Sequence, residues 1–120
     1  MILRYVPALL WSAFIFVLCF IPGNDLPKHP WLEKIYFDKF VHAGLYFVYF
    51  ILLIRAFKQQ GTGKLVLPFL ICLLQGILIE CIQGSSLIQG RSFDSWDIVA
   101  NVFGVSIAAL VIVRRSNSPS

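Results

Sequence analysis

Four apolar runs govern what this chain can fold into. They lie at roughly Ile2 to Ile21, Lys39 to Phe57, Leu65 to Ile88 and Ser95 to Val113. Each is close to the ~20 residues that a helix needs to cross the hydrocarbon of a bilayer. In lipid, backbone N–H and C=O groups must be satisfied within the segment, so each run is predicted to be helical. Composition agrees, since 58% of the 120 residues are hydrophobic and only 13% are charged. A soluble domain carries about a quarter charged residues. The expected fold class is therefore all-α, an integral membrane four-helix bundle occupying residues 1–120 as a single domain. A cleaved signal peptide competes for the first run. No small-x-small pattern follows it, only Ile21-Pro22-Gly23-Asn24, so an uncleaved anchor is expected.

Charge placement sets the expected topology. The net charge of +4 is spread over segment ends and forms no basic patch, which excludes nucleic acid as the expected partner. Arg4, Arg55, Lys58, Lys64, Arg114 and Arg115 fall on one side of an antiparallel bundle. Lys28, Lys34, Lys39 and Arg91 fall on the other. Six against four predicts that both termini are cytoplasmic and that the chain is a multi-pass protein. Trp31, Tyr36 and Trp96 would then sit at the outer interface and Tyr5 at the inner one. Cys19, Cys72 and Cys81 lie inside apolar runs with no C-x-x-C pair and read as buried thiols.

The polar residues of the spans are one-sided. Asp38, His42 and Tyr46 follow at i, i+4 and i+8, which stacks them on one helix face. With the third helix running to Ile88, Glu80 lies about 12 Å below its outer end, with Gln83 one turn higher on the same face. Asp97 begins the fourth helix near the surface and Asn101 follows one turn deeper. Together Asp38, Lys39, His42, Tyr46, Glu80, Gln83, Arg91, Asp94, Asp97 and Asn101 form one outer-half layer, and the inner half is expected to be almost without polar residues. Ionisable groups in a membrane span are costly unless paired, so this layer is the candidate ligand site.

Asp38-Lys39-x-x-His42-x-x-x-Tyr46 resembles the opening motif of VanZ-like membrane proteins. Glu80-x-x-Gln83, then Arg91, Asp94 and Asp97, then Asn101-x-x-Gly104, follow in the order of that family. The resemblance covers roughly Pro22 to Gly104. It implies a cell-envelope protein of the bacterial cytoplasmic membrane with a link to resistance against the glycopeptide teicoplanin. It does not supply a reaction.

Each feature also has a plainer reading. Asp38, Asp94 and Asp97 can serve as first-turn acids that favour the helix dipole. Lys39 can snorkel to the interface. Tyr49 and the phenylalanines read as packing or lipid contact. Gln83 and Asn101 can be interhelical hydrogen-bond glue, and Ala100, Gly104 and Ala108 read as a close-packing ridge. His42 can be a structural histidine bonded to Glu80 or Asp97. Glu80 is the hardest to explain this way, and it is expected to be ionised and held by Arg91, His42 and Gln83.

On the functional side, Lys39, His42 and Arg91 supply positive charge, and two helix N-termini face the same side. The expected ligand is an anionic lipid or cell-wall precursor group bound from the outer leaflet. Two other classes stay open. One is a phosphoryl or acyl transferase using His42 with Glu80 or Asp97, although no P-loop, serine-nucleophile or H-E-x-x-H motif is present. The other is a proton-coupled transporter, for which the apolar inner half is an obstacle. No cofactor is expected, one histidine in the layer is thin support for a metal, and the sequence leaves an oligomer open.

Overall fold

The computed structural model describes residues 2–20, 37–57, 62–85 and 95–116. Among these residues four α-helices are long and apolar enough to cross a membrane, the pattern of a multi-pass membrane protein. Helix α1 spans Val6–Phe20 and is preceded by a 3-10 turn at Ile2–Tyr5. Helix α2 spans Phe37–Phe57. A second 3-10 turn, Thr62–Leu65, leads into α3 at Val66–Gln83. Helix α4 spans Ser95–Ser116. Pro7 and Pro68 both fall in a first turn, where a missing N–H removes no helical bond.

The third helix is shorter than the hydropathy of its sequence predicts. The apolar run reaches Ile88, but the helix stops at Gln83 in a turn over Gly84 and Ser85. The Gly84 N–H closes the last helical bond on the Glu80 carbonyl at 2.9 Å. The Ser85 N–H then bonds the Ile82 carbonyl at 3.1 Å, and the Ser85 hydroxyl donates to that same oxygen at 2.6 Å. A serine that offers the backbone a local partner competes with helix continuation. Glu80 is consequently one turn from the helix end and not the expected 12 Å below it. The fourth helix runs on past Val113 to take in Arg114 and Arg115, cations that favour its C-terminal dipole.

The core runs along the bundle axis through Ile15, Tyr46, Phe50, Leu53, Cys72, Ile79, Val105 and Ala108. Helices α2 and α4 make the most extensive contact of any pair. Its tightest point is Gly104, where an added Cβ would sit 2.1 Å from the Ala43 carbonyl oxygen. With Ala108 fully buried, the close-packing ridge of α4 faces α2. Contacts to α1 fix the remaining register: the Tyr5 ring lies 5.9 Å from Phe57, and the Trp11 indole N–H donates to the Leu45 carbonyl at 2.8 Å. The outward surface carries large apolar side chains such as Leu9, Leu74, Phe103 and Leu110, as a lipid-facing surface requires. Cys19 and Cys72 are buried, whereas Cys81 faces outward.

Candidate functional site

The close approach of α2 and α4 brings their first turns side by side. There the Lys39 ammonium meets one Asp97 oxygen at 2.5 Å, and His42 Nε2 lies 3.6 Å from the other. Lys39 and His42 are three residues apart on α2, so both reach the same carboxylate. Asp97 is in the first turn of α4 and therefore also complements that helix's dipole. It is buried instead of lying at the surface as its position near the start of the run implied. The sequence offered Lys39 as a ligand-site cation or a snorkelling one, but not as the partner of Asp97. The signal for its pairing is an opposite charge in the first turn of a second helix that begins at the same end.

A second group lies one to two turns deeper. Asn101 follows Asp97 by four residues on α4 and is 5% exposed. Its carboxamide packs against Gly76 of α3, whose missing Cβ would sit 2.8 Å from Asn101 Nδ2 and 3.7 Å from the Tyr46 hydroxyl. Tyr46 is buried, with its ring edge-on to Tyr49 at 6.1 Å. Glu80 is 1% exposed and close enough to the Tyr46 hydroxyl to interact with it electrostatically. Gln83 turns toward α1, where its amide donates to the Cys19 carbonyl at 2.7 Å, so its contact is interhelical packing. Arg91 and Asp94 lie outside the described residues, as does the side chain of Asp38. The expected Glu80–Arg91 contact falls with them.

His42 Nδ1 and Asn101 Oδ1 are buried and have no hydrogen-bond partner among the described residues. Buried polar atoms are nearly always bonded, so each marks a position where a partner fits. Beside Asn101, between α3 and α4, a crevice lined by Cys72, Gly76, Ile98 and Val105 has a volume of about 10 Å³. That is room for a single water and too little for a headgroup.

A third polar group, not among the candidate residues of the sequence, lies deeper. At mid-bundle the hydroxyls of Ser12 and Tyr49 both donate to Gln75 Oε1, each at 2.8 Å. Tyr49 is thus a buried hydrogen-bond donor and neither simple packing nor lipid contact. The overlooked signal was Gln75 itself, a lone carboxamide in the middle of an apolar run, which needs partners on other helices. Replacing Gln75 with leucine should lower stability in detergent by about 1–2 kcal/mol, because two hydroxyl donors lose their acceptor. Adding Tyr49→Phe should restore part of that loss in the same unfolding assay. A double variant as unstable as the sum of the singles would show that Tyr49 does not depend on Gln75.

No family model, curated protein or solved structure matches this chain. What can be said of the site therefore comes from its own chemistry. Among the described residues it holds one ammonium, one imidazole and two buried carboxylates, with amide and phenol groups behind them. Among the described residues, no three His, Cys, Asp or Glu side chains converge as metal ligands. The arrangement offers charge-assisted hydrogen bonds to a polar group entering at the end where α2 and α4 begin.

Proposed function

We propose that this chain is a VanZ-like protein of the bacterial cytoplasmic membrane that binds an anionic lipid or cell-wall precursor group from the outer leaflet. The observation that carries the reading is the contact of Lys39, His42 and Asp97 at the shared start of α2 and α4. Charged side chains are retained there at the mouth of a membrane bundle, where they are expensive unless they serve a ligand. The two helix N-termini add partial positive charge at the same place. The order of motif residues from Asp38 to Asn101 is the support for the family, and through it for a link to teicoplanin resistance.

An antiparallel bundle with both termini in the cytoplasm is part of this reading. It is supported by Tyr5 lying against Phe57, by Gln83 reaching Cys19, and by the excess of Lys and Arg on the Arg4, Arg55 and Arg114 side. A cysteine placed at position 61 in a cysteine-free background should not react with an impermeant maleimide in intact cells. Rapid labelling there would invert the topology and turn the polar end toward the cytoplasm.

Binding is favoured over transport by where polarity stops. The Ser12–Tyr49–Gln75 group carries it to mid-bundle, but beyond lie Ala8, Phe50, Leu53 and Ala56, all buried and apolar. The binding reading is tested by native mass spectrometry of the protein purified from its membrane. A phosphate-bearing lipid should remain on the wild type and be lost from His42→Ala. A wild type that carries no lipid through a gentle detergent would remove the support for a ligand at this end.

A further inference from the structure

We infer that the crevice between α3 and α4 is a binding site for one water molecule, which hydrogen-bonds Asn101 Oδ1 and links the two helices. The site is separate from the ligand site proposed above and does not rest on it. Asn101 carries the inference. It is 5% exposed, and its Oδ1 is buried without a hydrogen-bond partner among the described residues. Its Nδ2 lies 2.8 Å from the place that a Cβ on Gly76 would take. A carboxamide oxygen is a strong acceptor with two lone pairs, and native interiors serve such an atom with a protein group or an ordered water.

The space beside it fits a water. The crevice has a volume of about 10 Å³ and is lined by Ile98, Asn101 and Val105 of α4 and by Cys72 and Gly76 of α3. That is the room of about one water molecule. Size alone does not wet a cavity, since apolar cavities of adequate size stay dry and a water needs two or more polar partners. Asn101 Oδ1 is the first partner and accepts one O–H. The second comes from α3. Gly76 has no side chain to screen the backbone on its side of the crevice. A helical carbonyl keeps a lone pair after its helix bond, so it can accept the other O–H. The Cys72 thiol, 1% exposed on the same wall, is a weak third partner. A Ca²⁺ or Mg²⁺ ion does not fit the site. Such ions take about six or more oxygen ligands, and Asn101 brings the one side-chain oxygen among the lining residues.

The water therefore replaces a direct side-chain contact between α3 and α4. Without it, a carboxamide on α4 would face apolar side chains and a thiol, a costly arrangement within a membrane span. With it, the same carboxamide contributes interhelical hydrogen bonding through one bridge.

The test is water–protein cross-relaxation NMR on the full-length chain in perdeuterated dodecylphosphocholine, with ¹⁵N at asparagine only. Asn24, Asn101 and Asn117 then supply the labelled side-chain amides. The Asn101 amide is the one lost in Asn101→Leu, and if that variant does not fold, Asn24→Asp and Asn117→Asp identify it by elimination. It should show a cross-peak to water with the sign of a molecule held for the tumbling time of the particle. The Tyr46 hydroxyl, 3.7 Å from the same Gly76 Cβ position, exchanges with solvent and can relay such a signal. The cross-peak should therefore persist in Tyr46→Phe. If that variant does not fold, the wild-type cross-peak should keep its intensity as pH is raised, whereas a relayed one grows with hydroxyl exchange. An Asn101 amide without a cross-peak to water would overturn the inference. So would a cross-peak that disappears in Tyr46→Phe or grows with pH.

Discussion

Gly104→Ala should destabilise the bundle by about 3 kcal/mol or more, a larger loss than the same change at Gly44, Gly63 or Gly76. Alanine is the better helix former by about 1 kcal/mol, so on propensity alone the change would stabilise α4. Packing reverses the sign. The new Cβ would lie 2.1 Å from the Ala43 oxygen and 2.8 Å from its carbonyl carbon. Both are backbone atoms of α2, which cannot rotate away as a side chain can. The helices must separate, and α2–α4 is the principal contact of the fold. Separation would also pull Lys39 and His42 away from Asp97, so ligand retention should fall with stability. Gly76→Ala is the control. Its Cβ would meet the end of the Asn101 side chain at 2.8 Å, a carboxamide that can turn aside. Its effect on folding should stay within about 1 kcal/mol, since the gain in helix propensity offsets the shift of Asn101. Unfolding of both variants in mixed micelles checks the pair. Comparable stability of the two would mean that α2 and α4 are not in backbone contact at Gly104.

The helices were legible because their determinant is local. A run of about 20 apolar residues fixes both the membrane and the helix, whatever the neighbours do. Where α3 ends was less legible. Leu87 and Ile88 extend the apolar run, but the stop comes where the Ser85 N–H and hydroxyl both turn back to the Ile82 carbonyl. Hydropathy does not register that competition, and Glu80 was placed too deep as a result. The site was half legible for the same kind of reason. Spacing puts His42 and Tyr46 on one face, and burial of both agrees. Pairings across helices depend on rotation about each axis, which the sequence constrains only through its small residues. The Gly104 contact sets that rotation for α2 and α4. It turns Lys39 from a snorkelling cation into the direct partner of Asp97. Gln83 and Gln75 show the converse. Both are amides on α3, yet one serves the Cys19 backbone and the other gathers Ser12 and Tyr49, a distinction no spacing rule contains.

Within that pairing the three side chains should respond unequally to removal. Lys39→Ala should cost about 3 kcal/mol, toward the low end for breaking a buried ion pair, because the side chains of the pair keep 21% and 11% exposure. Among the described residues it leaves Asp97 with the His42 contact at 3.6 Å alone. Asp97→Asn should cost less, since a lysine at the start of a membrane helix can extend its ammonium to the interface and recover water. The double variant should then be no less stable than Lys39→Ala alone, because removing the stranded carboxylate cancels the penalty. His42→Ala should cost about 1 kcal/mol at most, for its contact with Asp97 is long and Nδ1 forms no bond among the described residues that could be lost. On the proposed binding reading, a histidine so buried and so weakly tied to the fold serves the ligand. Retention of a phosphate-bearing lipid should therefore collapse in His42→Ala while its unfolding transition stays near that of the wild type. If His42→Ala instead melts as early as Lys39→Ala, the imidazole is a structural member of the ion pair and the site loses its main ligand contact.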